Sequence, residues 1–216
     1  MIILFDLDGT VIDSTEAILE SFHHACDIHQ TPRRDEEAIK NMIGHPLSAM
    51  FSSLGVEAGD VQSHVDQYKE YYRTIATQKT ILLPGAEKAV REASEFARLG
   101  VVTTKTGKYS VEILQYLGLW QYFETLIGFE HVTNPKPHPE PVLKALENMG
   151  CEPSDAWLIG DTRMDVFSAK AAGIECVAVS SGYESAVSLS EVTDLIKNDV
   201  LEAVDFLKEK HREALL

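Results

Sequence analysis

Two carboxylates near the start of the chain are the residues best placed to do chemistry. The first ten residues read MIILFDLDGT, so an apolar run ends in Asp6 and Asp8. Such a run is typical of a buried strand, and the alternation of side chains would place both carboxylates on one side of its carboxyl end. Two like charges about 4 Å apart repel by about 4 kcal/mol at an effective dielectric constant of 20. A bound cation, or one protonated and one ionised carboxyl, would relieve that repulsion. By itself the pair would also suit a turn or a helix cap.

The chain beyond residue 84 has the pattern of alternating helices and strands. After the strand before Asp6, we predict strands at 100–103, 125–129, 156–159 and 174–179, and helices at 86–98, 109–118, 139–149, 163–172 and 199–212. This alternation predicts an α/β fold: a Rossmann-like parallel sheet with helices on both faces.

The residues between the first strand and position 84 have a helical pattern throughout. We predict helices at 16–28, 35–43, 46–54 and 57–78. The pattern therefore predicts a small helical domain, residues 14–83, inserted into an α/β domain of residues 1–13 and 84–216.

Polar residues follow four of the predicted strands. In a parallel sheet the ligand site lies at the carboxyl ends of the strands. Besides the first two carboxylates, the residues expected at this edge are Thr103, Thr104, Lys105, Lys136, Asp161 and Asp165. Carboxylates, hydroxyls and a lysine at one site suit phosphoryl transfer assisted by Mg²⁺.

The charge balance restricts the partners of the protein. The chain has 19 basic and 34 acidic residues, a net charge of −15. This balance argues against nucleic acid or an anionic membrane as a partner. A small phosphorylated metabolite, the expected partner, would need local positive charge to bind, because the overall field of the protein repels anions. Either a monomer or a homodimer is compatible with the sequence.

The three cysteines and the first residues indicate a cytoplasmic protein. The cysteines form no Cys-x-x-Cys pair, as expected for buried thiols in a reducing compartment. The first residues lack a basic region, and no apolar run approaches the roughly 20 residues of a membrane helix. We therefore expect neither a signal peptide nor a membrane anchor.

Four motifs resemble those of a known superfamily. They are Asp6-Leu7-Asp8-Gly9-Thr10, Val101-Val102-Thr103, Lys136 within Pro-Lys-Pro, and Gly160-Asp161 with Asp165. In this order they resemble the signature motifs of the haloacid dehalogenase-like hydrolase superfamily, and the resemblance covers the whole chain. The helical insert is similar to the cap of the subgroup that contains phosphoglycolate phosphatase and β-phosphoglucomutase. The resemblance implies an all-helical cap domain, residues 14–83, on a catalytic core domain of residues 1–13 and 84–216, with hinges near Asp13-Ser14 and Leu83-Pro84-Gly85.

The resemblance implies roles for the four carboxylates. Asp6 would be the nucleophile that forms an aspartyl-phosphate and would also contact Mg²⁺. Asp8 would be the general acid and base, with its backbone carbonyl on the metal. Asp161 would be a metal ligand, and Asp165, four residues later, would hold a metal-bound water.

The remaining motif residues would contact the phosphoryl group. Thr103 would donate a hydrogen bond to it, and Thr104 stands where many members of the superfamily carry Asn. Lys136 would offset the negative charge of the nucleophile and the phosphate.

A short loop of the insert is a candidate for substrate selection. It consists of Ile43, Gly44, His45, Pro46 and Leu47, and it is more similar to the phosphoglycolate phosphatase branch. Its Gly and Pro would also suit an ordinary turn between two helices.

The predicted function is a Mg²⁺-dependent phosphatase for a small phosphomonoester such as 2-phosphoglycolate. A sugar-phosphate mutase and an inorganic pyrophosphatase are alternatives on the same scaffold, and a non-catalytic protein that binds a phosphorylated ligand is an alternative of another class. Asp8 and Asp161 argue against a dehalogenase, which needs neither carboxylate.

Overall fold

The computed structural model describes residues 1–214, and the main sheet organises the fold. The strands in this part of the chain are β1 (Ile2–Phe5), β2 (Ile12–Asp13), β3 (Ile81–Leu82), β4 (Arg98–Val102), β5 (Phe123–Ile127), β6 (Ala156–Gly160), β7 (Glu175–Val179) and β8 (Ile196–Lys197). The main sheet has the order β5-β4-β1-β6-β7-β8, and all of its neighbouring strands are parallel. β1 lies at its centre.

Side-chain alternation along β1 divides the core into two layers. Ile3 and Phe5 belong to one buried hydrophobic cluster, and Ile2 and Leu4 belong to a second cluster on the opposite face. All four side chains are almost fully buried, and such burial stabilises the fold by about 2 kcal/mol for each large apolar side chain. The hydrophobic run 2–5 is therefore continuous because both faces of the parallel sheet are covered.

Residues 1–214 contain ten α-helices. They are α1 (Thr15–Ile28), α2 (Glu36–Lys40), α3 (Leu47–Ser53), α4 (Val61–Ile75), α5 (Ala86–Ala93), α6 (Gly107–Tyr116), α7 (Glu140–Met149), α8 (Arg163–Ala172), α9 (Ala186–Ser190) and α10 (Val200–Ala214). Helices α5, α6 and α10 contribute to one core layer, and α7 and α8 to the other. The α/β fold class predicted from the sequence is confirmed. Across residues 1–214, no helix combines the length and apolar character required to cross a membrane.

Helices α1, α3 and α4 share an aromatic cluster. The rings of Phe22 and Phe51 stack with centroids 4.1 Å apart, and the ring of Tyr68 meets that of Phe22 edge-on at 5.3 Å. Stacked and edge-on aromatic pairs add about 0.5–1.5 kcal/mol each beyond the area that they bury. The aromatic cluster supports a separate helical cap, and the division into cap and core stays a prediction.

Several boundaries differ from the predicted ones. The predicted helix 86–98 ends at Ala93, because residues from Arg98 onward pair with β1. The predicted helix 57–78 spans only Val61–Ile75. The helices predicted at 35–43 and 46–54 are also shorter. Pairing with a neighbouring strand overrides local helical preference, and sequence patterns locate element ends poorly.

Four short elements were not predicted. β2 and β3 pair antiparallel, with Ile12 opposite Leu82. This pairing brings together the two chain segments where hinges were expected. β8 adds an edge strand beside β7, and α9 precedes it. Each strand has two residues, and so short a strand depends on its partner for its conformation.

Candidate active site

A tight turn after β1 separates the first two carboxylates. The backbone amides of Thr10, Val11 and Ile12 all donate to the carbonyl oxygen of Leu7, at 2.8 to 3.1 Å. Gly9 within this turn has φ of +83°, a conformation that side chains disfavour. The strand ends at Phe5, so strand alternation no longer determines where the later carboxylates point.

Asp6 faces a buried lysine at the carboxyl edge of the sheet. Lys136 Nζ lies 2.8 Å from Asp6 Oδ1, 2.5 Å from Asp165 Oδ1 and 3.1 Å from the carbonyl oxygen of Val102. Both Lys136 and Asp6 are about 95% buried. The lysine therefore uses its three donors within the site. Its ammonium links the end of β4 to Asp6, which follows β1, and to Asp165, which lies beyond β6.

Asp161 is oriented by two other donors. Its Oδ1 accepts from Thr10 Oγ1 at 3.1 Å, and its Oδ2 accepts from the backbone amide of Tyr183 at 2.8 Å. A Cβ atom at Gly9 or at Gly182 would lie 2.2 Å from Asp161 Oδ2. Two glycines therefore leave the space that this carboxylate occupies.

The three buried carboxylates form one cluster. One oxygen each of Asp6, Asp161 and Asp165 lie within 4.8 Å of one another. Lys136 contacts two of these three carboxylates, so the cluster in its ionised form carries excess negative charge in a dry environment. A hard divalent cation prefers carboxylate oxygens and would neutralise this excess, so the residues fit such an ion.

The pKa values of two of these carboxylates are raised. Burial, together with the charges of Asp165 and Asp8, raises the pKa of Asp6 from its ordinary 3.8 to about 7, although Lys136 opposes the shift. Burial and the charge of Asp6 also raise the pKa of Asp161 well above its ordinary value. Both shifts express the cost of ionising a crowded, desolvated cluster, a cost that a bound cation would remove.

Asp165 uses both of its oxygens within the protein. Oδ1 accepts from Lys136, and Oδ2 accepts from the backbone amide and the hydroxyl of Thr162, at 3.1 and 2.7 Å. The contact with Thr162 is a capping box at the start of α8. Asp165 therefore holds the lysine and the helix that begins beside Asp161, and its predicted contact with a metal-bound water stays a prediction.

Asp8 has polar partners that differ from those of the cluster. Its Oδ2 lies 3.0 Å from Lys105 Nζ, and its Oδ1 accepts a hydrogen bond from Ser14 Oγ. Burial lowers the pKa of Lys105, but Asp8 and Tyr72 outweigh it and raise that pKa overall, so the lysine is a cation. Each of the first two carboxylates thus has its own ammonium partner.

The two threonines after β4 occupy different positions. Thr103 is buried, and its Oγ1 accepts from the backbone amide of Lys105 at 3.2 Å. Thr104 lines a cavity between the helical segment and the sheet edge, and Asp8 and Lys105 line it as well. The cavity has a volume of about 180 Å³, enough for a small metabolite.

The predicted selection loop borders the same cavity. Ile43, Gly44, His45 and Leu47 line it. Pro46 instead precedes α3, where its carbonyl accepts from the amide of Met50.

The selection loop also touches the core beside Asp161. A Cβ atom at Gly44 would lie 3.1 Å from Met164 Cε and 3.4 Å from Thr162 Cγ2. The loop is therefore close to the carboxylate cluster as well as to the cavity.

Sequence reasoning did not assign roles to several residues of the site. Lys105 stood among the strand-end residues without a role, although its position two residues after Thr103 was a usable signal. The sequence analysis assigned no role to Tyr72 or to Tyr183. No sequence signal brings Tyr72 to Lys105, because their contact joins two distant segments.

The fold and the cluster together define the class of protein. Residues 3–179 match the family described as haloacid dehalogenase-like hydrolase. The chain belongs to this family of hydrolases, as its four motifs predicted.

Individual relatives cover nearly the whole chain. A pyrophosphatase PpaX from Bacillus velezensis is 33% identical over 208 residues, which are 90% of this chain and 94% of the relative. A phosphoglycolate phosphatase from Pectobacterium atrosepticum is 29% identical over 98% of this chain and 95% of its own length. The structure of a haloacid dehalogenase-like family hydrolase from Streptococcus pneumoniae superposes with a TM-score of 0.86 at 26% identity, covering 95% of this chain and 97% of that one.

Proposed function

We propose that the protein is a Mg²⁺-dependent phosphatase that hydrolyses a small phosphorylated metabolite through an aspartyl-phosphate on Asp6. The observation that carries this proposal is the buried cluster of Asp6, Asp161 and Asp165 around Lys136, beside a cavity that Asp8 lines. Asp6, Asp161 and the backbone carbonyl of Asp8 would hold Mg²⁺. When bound, Mg²⁺ supplies positive charge that offsets the charges of the carboxylates and the phosphate.

The first half of the reaction transfers the phosphoryl group to the protein. An oxygen of Asp6 forms a bond to phosphorus as the bond to the leaving oxygen breaks, and Asp8 gives that oxygen its proton. Lys136 keeps Asp6 oriented, and Thr103 donates to the phosphoryl oxygens.

The second half returns Asp6 to its starting state. A water attacks the phosphorus of the aspartyl-phosphate, and Asp8 takes the proton of that water. The bond between phosphorus and Asp6 breaks, which releases inorganic phosphate. The same carboxyl therefore acts as acid and then as base, as microscopic reversibility allows.

Two substrate classes suit the cavity. A phosphomonoester such as 2-phosphoglycolate is favoured by the selection loop at 43–47 and by the relative named phosphoglycolate phosphatase. Inorganic pyrophosphate is the second candidate, because the relative named pyrophosphatase PpaX is 33% identical to this chain. Both are small anions, and the cavity of about 180 Å³ is large enough for either of them.

The experiment that tests the proposal is a measurement of phosphate release. The purified protein is given 2-phosphoglycolate, pyrophosphate and a panel of sugar phosphates, each with Mg²⁺ and with EDTA. Release that requires Mg²⁺ and is highest on one compound would support the proposal and identify the substrate. Asp6→Asn, purified in parallel, controls for contaminating phosphatases. Absence of release from every compound with Mg²⁺ present would contradict the proposal.

A further inference from the structure

A second buried lysine in the site has no role in the reaction described above. The side chain of Lys105 is only 8% exposed. Its Nζ lies 3.0 Å from Asp8 Oδ2, 2.8 Å from the hydroxyl of Tyr72 and 3.4 Å from Ser14 Oγ. The ammonium also lies 4.6 Å from the centroid of the Tyr72 ring. The three donors of the lysine thus face three acceptors, and one of these acceptors is the proposed acid and base.

A buried ion pair of this kind is a poor way to gain stability. Removing two charges from water costs about as much as their attraction returns, and apolar replacements of similar size are often as stable. Buried polar groups with every partner satisfied do hold side chains in one orientation. The arrangement around Lys105 is therefore better suited to orienting Asp8 than to stabilising the fold.

The contacts of Lys105 join two parts of the chain. Lys105 follows β4 at the sheet edge, whereas Tyr72 belongs to α4 of the helical segment. Tyr72 is 1% exposed, so its hydroxyl reaches Lys105 from a packed position. Ser14, at the start of that segment, donates to the other oxygen of Asp8. Both oxygens of Asp8 are thus held by contacts that depend on the seating of the helical segment.

We propose that Lys105 is a positioning residue that holds the Asp8 carboxylate at the cavity, and that Tyr72 makes this placement depend on the seating of α4 against the sheet edge. This inference rests on the proposed phosphatase function. When α4 moves away, Lys105 loses one acceptor and the aromatic face that covers it. Asp8 is then no longer held in place, so the acid and base is assembled only when the cavity is covered.

The first experiment measures kcat and KM for Lys105→Met and Tyr72→Phe, on 2-phosphoglycolate and on pyrophosphate with Mg²⁺. Lys105→Met keeps the unbranched stem and removes the ammonium. We expect kcat to fall about 100-fold, because a positioned acid and base contributes at least that much. Tyr72→Phe should lower kcat about tenfold, the effect of losing one hydrogen bond to a charged group. KM should stay within about threefold of the wild-type value for both variants.

Two matched variants control for the change of residue type. Lys108→Met removes an exposed ammonium three residues further along the chain. Tyr71→Phe removes a hydroxyl from the same helix, one that bonds to Glu20 outside the cavity. Both should have wild-type kcat.

The second experiment combines the two substitutions. If Tyr72 acts through Lys105, Tyr72→Phe should change kcat less than about twofold in the Lys105→Met background, since interacting residues are not additive. Effects that multiply in the double variant would overturn the coupling. Thermal melts of all variants show whether they fold. If Lys105→Met does not fold, the comparison of kcat between Tyr72→Phe and Tyr71→Phe tests the proposal instead.

The kinetic results also separate failure of the positioning role from failure of the proposed phosphatase function. A large rise in KM with kcat preserved would overturn the positioning role, because Lys105 would then bind the substrate. Wild-type kinetics for both variants would also overturn it. If the wild-type protein itself releases no phosphate from any compound, the proposed phosphatase function fails instead.

Discussion

The Nζ atom of Lys136 lies 2.8 Å from Oδ1 of Asp6, although the two residues are 130 positions apart in the chain. The same Nζ lies 2.5 Å from Asp165. One ammonium thus serves two carboxylates that follow different strands. The pKa of Lys136 is raised, because the two carboxylates outweigh its burial, so the lysine stays charged. This contact is the basis of the first two predictions.

Replacing Asp6 should abolish turnover and leave the fold intact. Asp6→Asn keeps the size of the side chain but removes the anionic oxygen that would attack phosphorus, so phosphate release should fall by at least about 10⁴-fold. Phosphate release and a thermal melt check this expectation. Asp205→Asn, at an exposed position on α10, is the matched control. Substantial turnover by Asp6→Asn would exclude Asp6 as the nucleophile.

Replacing Lys136 should destabilise the protein. Lys136→Met leaves Asp6 and Asp165 without their ammonium partner, and removing one partner of a buried pair costs about 3–5 kcal/mol. The free energy of unfolding, measured by urea denaturation in EDTA, should fall by about 3 kcal/mol, and Mg²⁺ should recover part of the loss. Lys210→Met, at an exposed position on α10, is the matched control and should leave the free energy of unfolding unchanged. Equal stability of Lys136→Met and wild type would contradict this prediction.

The stability of the metal-free protein should fall as pH rises through neutrality. The pKa of Asp6 is about 7 in the folded protein against 3.8 ordinarily, so the folded state binds this proton more tightly than the unfolded state. The resulting stabilisation is fully present below pH 4 and is lost as pH rises through 7. Between pH 5 and 8 in EDTA, the free energy of unfolding, measured by urea denaturation, should fall by on the order of 2 kcal/mol more for the wild type than for Asp6→Asn. Identical pH profiles for the two proteins would contradict the raised pKa.

The same shift predicts how metal binding depends on pH. Asp161 also has a raised pKa, so a cation must displace protons from the cluster below neutrality. The affinity for Mg²⁺, measured by isothermal titration calorimetry, should therefore be higher at pH 8 than at pH 6. Proton release on binding should be greater at pH 6, and buffers of different ionisation enthalpy would detect it.

A single methyl group beside Asp161 should weaken metal binding. A Cβ atom at Gly182 would lie 2.2 Å from Asp161 Oδ2, so Gly182→Ala must displace that carboxylate. Changes of this kind around a ligand typically cost 10-fold or more in affinity, and we expect about a tenfold rise in the dissociation constant for Mg²⁺. Gly59→Ala is the control, because open space surrounds that position. An unchanged calorimetric titration for Gly182→Ala would argue against Asp161 as a ligand.

Sequence reasoning reached the fold class and the composition of the site because both have local signals. Alternating strands and helices predict a parallel sheet, and a parallel sheet brings its strand ends to one edge. That argument alone places Asp6, Lys136 and Asp161 at one edge. The boundaries of several elements were wrong, because helix ends and two-residue strands depend on pairing partners elsewhere in the chain.

The sequence by itself determined which residue types gather at the sheet edge, because their positions directly after apolar strands are local. Only the tertiary structure decided how they pair. Asp8, which precedes the turn at Gly9, pairs with Lys105, and α4 brings Tyr72 to the same lysine. Such contacts depend on side-chain directions in a turn and on the packing of distant segments, and neither has a periodic signal in the sequence.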